Sequence, residues 1–469
     1  MQETETYAED FRGHLSTVDE KGKRIWIYPK AIKGRLYKYR TLVSYVLLAF
    51  LFGMPHIYLH GEPFLLFDII HRKFILFGQI FYPQDFYLFV FGSIGMVLFI
   101  ILFTIAFGRF FCGWICPQTI FLEMVFRKIE RWIEGDHNAQ RKLNQNKWHE
   151  NNKLLKKSVK HIIFFGISYV VANTFLAYII GSRELFHIQT DTPSNHITGL
   201  VAITIFSAAF YGVFAFFREQ VCTNVCPYGR LQGVLLDKNS IVVAYDRLRG
   251  EPREKSGKNR NTSAGSCIDC RQCVLVCPTG IDIRNGTQLE CVNCTACIDA
   301  CDDVMLKIKQ PTGLIKYASE KQISEGGKFV FTARLKAYSA VLIAIIIFFN
   351  ILMVMRGTVE TTILRARGQN FTVMDDGRIS NLYKYKIINK SNEKIPLKVS
   401  LVDVKGEIEL IGQKNLVLQP EEKKEGIMMI KIDSNEVRRR TNSIKIRITH
   451  GDVTEEITSV FMAPRKSKK

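Results

Sequence analysis

The sequence predicts an α-helical membrane protein with five transmembrane helices, a cytoplasmic cysteine-rich domain and a C-terminal all-β domain of immunoglobulin-like fold. Three observations lead to this prediction: five long apolar stretches, twelve cysteines gathered in four short motifs, and a cysteine-free last third with short alternating runs. Of the 469 residues, 47% are hydrophobic, which is rich for a soluble protein. A membrane component is therefore the first expectation.

The five apolar stretches are each long enough, at about 20 residues, to cross a bilayer as a helix. They cover residues 42–60, 86–108, 161–181, 197–217 and 336–355. Lys and Arg collect before the first stretch and between the second and third, whereas "GSRELFHIQTDTPSN", between the third and fourth, holds a single Arg. By the positive-inside rule, the N-terminal segment and all cysteines face the cytoplasm of a bacterial inner membrane, and the C-terminal domain faces the periplasm.

Two further features concern the membrane. The segment 62–84 is apolar but interrupted by charged residues, so we expect a hairpin or re-entrant element at the outer surface, with a sixth span as the alternative. The formal net charge is +20, and the basic residues lie beside apolar runs rather than among stacking aromatics. This placement favours contact with membrane lipid over nucleic acid. The polar N-terminus shows no cleaved signal peptide.

A repeat joins the first four stretches into one module. Two stretches end in Cys112-x-x-x-Cys116-Pro, and the next two end in Cys222-x-x-x-Cys226-Pro. Each copy continues into an amphipathic segment, for which a first-turn proline is suited because its missing N–H costs nothing there. Since two spans per copy preserve orientation, we expect the copies to be related by an axis along the membrane normal, which would bring the four thiols together.

The densest cysteine pattern lies in the insert that follows the fourth stretch. It consists of two runs of four cysteines, separated within each run by two, two and three residues. In such runs three cysteines bind one 4Fe-4S cluster and the fourth reaches the other cluster. The spacing therefore predicts two clusters, whereas zinc sites use paired C-x-x-C motifs. The ligands are Cys267, Cys270, Cys273 and Cys301 for one cluster, and Cys291, Cys294, Cys297 and Cys277 for the other.

The four thiols of the paired motifs leave several chemistries open. They would suit a soft metal, which could be Cu(I), zinc or a further iron–sulfur centre, or they could act as a dithiol–disulfide pair, or be buried structural thiols. Glu123 and Glu219 are candidates to tune them. Near the outer end of the first stretch, His56 and His60 with Met54 could hold copper, or be interfacial side chains. Further histidines toward that side are His71, His187 and His196.

Five regions result from this reading. They are the cytoplasmic segment 1–41, the four-helix module 42–217, the ferredoxin domain 218–335, the fifth helix 336–356 and the domain 357–469. The last contains short alternating runs such as "NLYKYKIINKS", "EGIMMIKI" and "SIKIRITHG", separated by turn residues. About seven such strands are typical of an immunoglobulin-like sandwich.

The order of these parts resembles the cytochrome c oxidase accessory proteins known as CcoG, FixG or RdxA. The resemblance lies in "RIWIYPKAIKGRLYKYR", "GRFFCGWICPQT", "REQVCTNVCPYGRLQ", "YDRLRGEPR" and "SCIDCRQCVLVCPTGIDIRNGTQLECVNCTACIDACDDVM". It implies an iron–sulfur protein for assembly of a cbb-type cytochrome c oxidase, similar to members regarded as reducing Cu(II) to Cu(I). Its partners would be oxidase subunits or copper-delivery proteins, with an unidentified cytoplasmic electron donor. His56 and His60 match no motif of the family.

The resemblance also implies roles for cysteines: the eight of the ferredoxin domain as cluster ligands, and Cys112, Cys116, Cys222 and Cys226 as the copper or electron-exit site. Two alternatives remain. One is a quinol-oxidising electron-transfer subunit similar to NapH, whose relatives lack the fifth span and the sandwich. The other is a non-enzymatic assembly scaffold or copper chaperone.

Overall fold

The structure, a computed structural model, divides into two compact units, residues 1–350 and 351–469, each considered by itself below. It describes residues 17–18, 21, 23–59, 61–69, 73–82, 85–146, 152–255, 263–327, 331–357, 359–366, 368, 370–390, 394–412, 416–420, 422–437, 439–450 and 453–464.

Long apolar helices form the body of the first unit. Within the described residues, four are long and apolar enough to cross a membrane, and they overlap the last four predicted stretches, although the helix at 161–181 begins eight residues earlier, at Lys153. These are α2 (Phe86–Phe107), α7 (Lys153–Ile180), α9 (Ile197–Gly212, continued by a π-helical turn Val213–Phe217) and α15 (Ala333–Val354).

The first predicted stretch differs from its expected bounds of 42–60. The helix, α1 (Arg35–Gly53), begins seven residues earlier and is followed by a 3₁₀ turn, Met54–His56. One basic residue in the first half of this helix, Arg40, is buried and donates to the carbonyl oxygen of Gly113 at 2.6 Å. The start of α1 therefore packs into the base of the module.

The predicted hairpin between the first two long helices is observed as two small antiparallel sheets, and the described part of 61–82 holds no helix that could be a sixth span. Register pairs Leu65 with Leu76, and Leu66, Ile75 and Ile80 form its small core. The strands are β1 (Tyr58–Leu59), β2 (Glu62–Pro63), β3 (Leu65–Asp68), β4 (Lys73–Leu76) and β5 (Gln79–Phe81).

After α2 and after α9 the chain follows the same path twice. Short helices carry the first copy: α3 (Phe110–Trp114), α4 (Pro117–Ile120), a π-helix (Phe121–Phe126), α5 (Arg127–Glu134) and α6 (His137–Gln145). The second copy has a π-helix (Val221–Val225) and α10 (Pro227–Leu235), and α8 (Ser182–Thr190) connects α7 to α9.

The cysteine-rich insert has little regular structure, because its backbone turns repeatedly around the cysteines. One two-stranded sheet, β6 with β7, closes it in antiparallel pairing. Its elements are β6 (Val242–Tyr245), α11 (Arg247–Gly250), α12 (Gln272–Leu275), a 3₁₀ turn (Ile283–Asn285), α13 (Ala296–Lys307), β7 (Ile315–Ala318) and α14 (Glu320–Ser324).

The second unit contains two antiparallel sheets around one apolar core. One sheet has the order β12-β14-β10-β8 with β9 beside β10, and the other has the order β13-β11-β15-β16. The strands are β8 (Val359–Arg365), β9 (Thr372–Val373), β10 (Arg378–Asn389), β11 (Ile395–Leu401), β12 (Gly406–Leu410), β13 (Leu416–Leu418), β14 (Lys423–Asp433), β15 (Thr441–His450) and β16 (Val453–Met462). Tyr383, Ile430 and Ile446, each fully buried, alternate with outward residues as a half-buried strand requires.

Candidate functional site

The cysteine-rich insert contains two small cavities, each with a volume of about 20 Å³. The first is lined by Cys267, Cys270, Cys273 and Cys301. The second is lined by Cys277, Cys291, Cys294 and Cys297, and Cys273 also reaches it. The grouping is the one that the spacing predicts, with the fourth cysteine of each run supplied to the other cavity. Four thiols around an apolar cavity are the donor set of a 4Fe-4S cluster.

The two cysteine runs wrap their cavities with the same backbone. Asp269 and Asn293, one residue before the second cysteine of each run, have φ angles of 49° and 51°. Arg271 and Thr295, one residue after it, have φ angles of 52° and 64°. Non-glycine residues rarely adopt this left-handed region, and Asn and Asp do so most readily. The strain at four matched positions turns the thiols inward.

Burial sets the protonation of these thiols when no metal is bound. It raises the pKa of Cys291 to about 12 and that of Cys294 to about 11. At the first cavity it raises the pKa of Cys301 to about 12. Metal or cluster binding must therefore displace protons from these sites.

The paired motifs also share their geometry. Gly108 and Arg218, each four residues before the first cysteine of a motif, have φ angles of 57° and 53°. In both copies the second cysteine donates its backbone N–H to the carbonyl five residues earlier: Cys116 to Phe111 at 2.9 Å and Cys226 to Val221 at 2.8 Å. The proline that follows opens a helix in each copy, as expected from the sequence.

Each motif touches the helix that follows the other motif. The Sγ atom of Cys112 lies 3.4 Å from Oε1 of Gln232 on α10, and Arg109 donates to the same oxygen at 2.6 Å. Burial raises the pKa of Cys112 to about 11, which Arg109 partly offsets. Burial raises the pKa of Cys222 to about 12, and the thiols of Cys116 and Cys112 contribute to the rise. Gln118 on α4 of the first copy donates to the carbonyl oxygen of Arg218 at 3.5 Å. The crossed contacts bring the two pairs into one neighbourhood.

The first motif lies directly against the second cavity. Cys112 packs on an apolar cluster that contains Val292 and Cys294. An added Cβ at Gly113 would meet the carbonyl oxygen of Val292 at 2.4 Å and that of Asn293 at 2.8 Å, so only glycine fits there. The Sγ atom of the cavity ligand Cys291 lies 3.5 Å from Oδ1 of the same Asn293. The first motif, through Cys112 and the backbone of Gly113, is thus in direct contact with the loop that forms the wall of the second cavity.

A buried ion-pair network ties the insert to the helices. Arg127 donates to Glu123, to Glu219 at 3.0 Å and to the carbonyl oxygen of Pro278 at 3.2 Å. Pro278 follows the cavity ligand Cys277 directly. The two glutamates considered as thiol-tuning residues are therefore paired with arginine.

The same network continues through Glu130. Arg218 donates to Glu130 at 2.7 Å, and Lys160 lies 3.3 Å from it. Burial opposes ionisation of this carboxyl, but Arg218 and Lys160 overcome the penalty and lower the pKa of Glu130 to about 2. The buried pair also holds Arg218 in its strained conformation.

Asp299 fixes the insert to α1. Its carboxylate accepts the backbone N–H groups of Leu36 at 3.2 Å and Tyr37 at 2.7 Å, so it caps the N-terminus of that helix from another part of the chain. Asp302 accepts from the N–H of Gly313 at 2.8 Å, which accounts for aspartate where proline is common in such runs. Sequence reasoning missed this cap and the arginine network, since no local pattern marks contacts between residues far apart in the chain.

The histidines fall into two groups. His56 is exposed and Met54 is buried, while His60 and His71 lie outside the described residues. The copper hypothesis for that group therefore stays a prediction. His187 and His196 do approach each other, and together with Asp191 they place their ligand atoms within 4.8 Å of one another.

Three family models match the chain. One, described as a 4Fe-4S dicluster domain, matches residues 217–320; another, a 4Fe-4S binding domain, matches 88–134; the third, an IG-like fold at the C-terminal of FixG, matches 349–464.

Curated relatives cover most of the chain. The nitrogen fixation protein FixG of Rhizobium meliloti is 33% identical over 81% of this chain and 79% of its own length. The protein RdxA of Cereibacter sphaeroides is 35% identical over 78% of this chain and 80% of its own. The ferredoxin-type protein NapH of Escherichia coli is 21% identical and covers 46% of this chain, with 66% of its own length matched. A solved FixG-related protein from Vibrio parahaemolyticus matches 24% of this chain with a TM-score of 0.21 and 19% identity.

Proposed function

The chain belongs to the FixG and RdxA family, and from that premise we propose that it passes single electrons from a cytoplasmic donor to the thiols of the paired motifs, where Cu(II) is reduced to Cu(I) for a cbb-type cytochrome c oxidase. The 4Fe-4S domains make it an iron–sulfur electron-transfer protein. The relatives are named nitrogen fixation protein FixG and protein RdxA. The roles in copper reduction and in oxidase assembly are therefore part of the proposal.

The proposed ligand assignment follows the two cavities. Cys267, Cys270, Cys273 and Cys301 would hold one cluster, and Cys277, Cys291, Cys294 and Cys297 the other. Each 4Fe-4S cluster supplies a one-electron redox couple when bound. The chain's own residues bury the site, turn eight thiols inward and fix the cavity walls through Arg127 and Asp299.

The observation that carries the proposal is the contact between Cys112 and the loop of the second cavity. An electron at that cavity has a packed route to the first thiol pair, with Gly113 allowing backbone-to-backbone contact. Reduction of Cu(II) takes one electron and no proton, and its product, Cu(I), prefers soft thiolate ligands. The step therefore balances with one electron from the donor and one Cu(II) ion.

A further iron–sulfur centre is the second candidate occupant of the four thiols. A 4Fe-4S binding family model matches residues 88–134, which include Cys112 and Cys116. Within the described chain, no three of the twelve cysteine thiols lie within 4.8 Å of one another. A copper site that uses three or more of the paired-motif thiols would require them to move closer, whereas the ligands of a cluster each bind a different iron.

The proposed placement is the bacterial inner membrane, with the cysteine ends in the cytoplasm and the C-terminal domain in the periplasm. Helix α1 would act as a fifth crossing. It begins beside Gly113 at the cysteine end, and the chain that follows it reaches the opposite end, where Tyr58 bonds Ser182 at 2.7 Å. The C-terminal domain would bind an oxidase subunit or a copper-delivery protein.

The test uses anaerobically purified full-length protein with a chemical reductant. We expect Cu(II) to be converted to Cu(I), and the quadruple variant Cys112→Ser, Cys116→Ser, Cys222→Ser, Cys226→Ser to lose that activity while keeping both ferredoxin signals in electron paramagnetic resonance. Iron analysis of the same variant separates copper from a third cluster, because the latter would lower the iron content.

The alternatives have their own outcomes. Quinol oxidation without any copper dependence would favour an electron-transfer subunit similar to NapH. Full oxidase assembly in cells by a cluster-free variant would favour a scaffold, and either result would remove the reductase proposal.

A further inference from the structure

A cluster of metal-binding side chains lies at the end of the helices opposite to the cysteines. It consists of His187 in the last turn of α8, Asp191 immediately after that helix, and His196 immediately before α9. Among the described residues this is the one set of three possible ligands whose donor atoms all lie within 4.8 Å. We propose that His187, Asp191 and His196 bind a divalent transition-metal ion.

The geometry already meets part of what a metal requires. The Nε2 atom of His196 lies 3.1 Å from Oδ2 of Asp191. Two donors of a tetrahedral ion bound at about 2.0–2.1 Å lie roughly 3.3 Å apart, so this pair needs little adjustment. The rings of His187 and His196 are perpendicular, with centroids 5.5 Å apart, and a modest rotation of His187 brings its nitrogen into range.

A simple ion pair would not involve all three residues. Asp191 and His196 could pair alone, with Asp191 also accepting from the N–H of Thr192 at 2.7 Å. In the described structure the exposed side chain of His187 makes no hydrogen bond, although it faces both partners. A metal-binding set of three residues accounts for this second imidazole, which lies beside the pair without forming a hydrogen bond to it.

The scaffold beneath the cluster is well packed. Leu185 of α8 is buried against Ala177 of α7 and Ile203 of α9. The backbone positions of the ligands are thereby fixed by apolar contacts with two of the long helices. Only the side chain of His187 has to adjust, which keeps the entropy cost of binding low.

The donor types decide the class of ion. Two imidazole nitrogens with one carboxylate oxygen suit Cu(II), Zn(II) and Ni(II), whereas Cu(I) prefers the thiolates found at the other end. Three protein ligands leave at least one position for water or a ligand from a partner. The site therefore fits capture or transfer of an oxidised ion rather than storage of Cu(I).

Distance separates this site from the electron route. The helix from Ile197 to Phe217 has 21 residues, which at 1.5 Å per residue is about 32 Å. An ion bound at His196 is thus remote from the cysteines beyond that helix, and the inference does not depend on the proposed reductase activity.

The experiment measures binding of Zn(II) and Cu(II) to the full-length, cluster-containing protein. Equilibrium dialysis and metal analysis should show one Zn(II) per chain fewer in His187→Ala and in His196→Ala than in the unaltered protein. Asp191→Asn should weaken binding at least tenfold. Cu(II) bound to oxidised protein should show nitrogen superhyperfine splitting from two imidazoles, reduced to one in either histidine variant.

His56→Ala is the matched control, because His56 is also exposed and belongs to the segment that meets α8 through Tyr58 and Ser182. It should bind metal like the unaltered protein, and the iron–sulfur absorbance of every variant reports that the chain is folded. Equal Zn(II) stoichiometry in the unaltered protein, His187→Ala and His196→Ala, or an equal loss in His56→Ala, would overturn the proposal.

Discussion

The contact at Gly113 allows a demanding test of the proposed electron route. In Gly113→Ala the new methyl carbon would lie 2.4 Å from the carbonyl oxygen of Val292, where ordinary contact begins at 3.4 Å. The loop of the second cavity must therefore move by the difference of those two distances, about 1 Å. No flexible side chain is available to give way, because the contacting atoms belong to the backbone of Val292 and Asn293.

Two opposing energies determine the stability of this variant. Overpacking costs about 1–3 kcal/mol, and replacement of glycine by alanine inside a helix returns up to about 1 kcal/mol. Gly166, in α7, is the matched control because an added Cβ there would have no neighbour within 4 Å. We expect Gly166→Ala to be neutral or slightly stabilising, and Gly113→Ala to be less stable by up to about 3 kcal/mol.

The kinetic effect should exceed the effect on stability. Electron transfer slows as donor and acceptor move apart, so displacement of the cavity loop by the clash should slow reoxidation severalfold. The assay reduces the protein with dithionite under anaerobic conditions, adds Cu(II) and follows iron–sulfur reoxidation by stopped-flow absorbance. Gly113→Ala should be reoxidised severalfold more slowly, with unchanged iron content. Reoxidation at the unaltered rate, with Gly166→Ala identical, would show that electrons do not leave through this contact.

Three further changes test the supports of the site. Asp299→Ala removes the cap of α1 and should lower the free energy of unfolding by about 1–2 kcal/mol, which faster proteolysis between α1 and the insert would reveal. Asp299→Asn keeps a hydrogen-bond acceptor and should lose less stability. Arg127→Met removes the hydrogen bonds to Glu123, Glu219 and the carbonyl oxygen of Pro278, although Glu219 keeps Arg24 at 3.0 Å. It should lower the free energy of unfolding by about 1.5–3 kcal/mol, with Lys128→Met at the next position as control. Glu130 has a folded-state pKa of about 2 against an ordinary 4.5, so its stabilisation of about 3 kcal/mol is complete above pH 4.5 and is lost as the pH falls toward 2. Glu130→Gln should be less stable near neutral pH and should lack that pH dependence in thermal unfolding; an unchanged slope would contradict the assigned pKa.

Local patterns were sufficient for most of the architecture. Four apolar stretches are helices in the structure, since length and hydropathy decide such segments, although the start of α7 lies eight residues before the predicted start at 161. The alternating runs became β10, β14 and β15, whereas β8 went unpredicted because "VETTILR" carries polar residues on both sides of its apolar positions. The short strands of 58–81 were not resolved beyond a hairpin, because two-residue strands leave too little periodicity to recognise.

At the candidate site, spacing located the cysteines but could not locate what holds them. Asp299 looks like one of several acids on a solvated helix until the N-terminus of α1 is seen against it. Arg218 reads as a flanking basic residue, yet it occupies a left-handed backbone position that glycine fills in the other copy. Contacts between residues a hundred positions apart depend on the tertiary fold, which no local pattern encodes.

One of the differences between the paired motifs lies at the residue that follows the leading cysteine. Where the first motif has Gly113 after its leading cysteine, the second has Thr223, whose side chain would block so close an approach to a neighbouring main chain. The two halves therefore share a shape but cannot exchange places. A chimera with two copies of the second half would keep the four thiols of the paired motifs but lose this backbone contact. The bare glycine therefore helps to decide which of the two motifs lies against the second cavity.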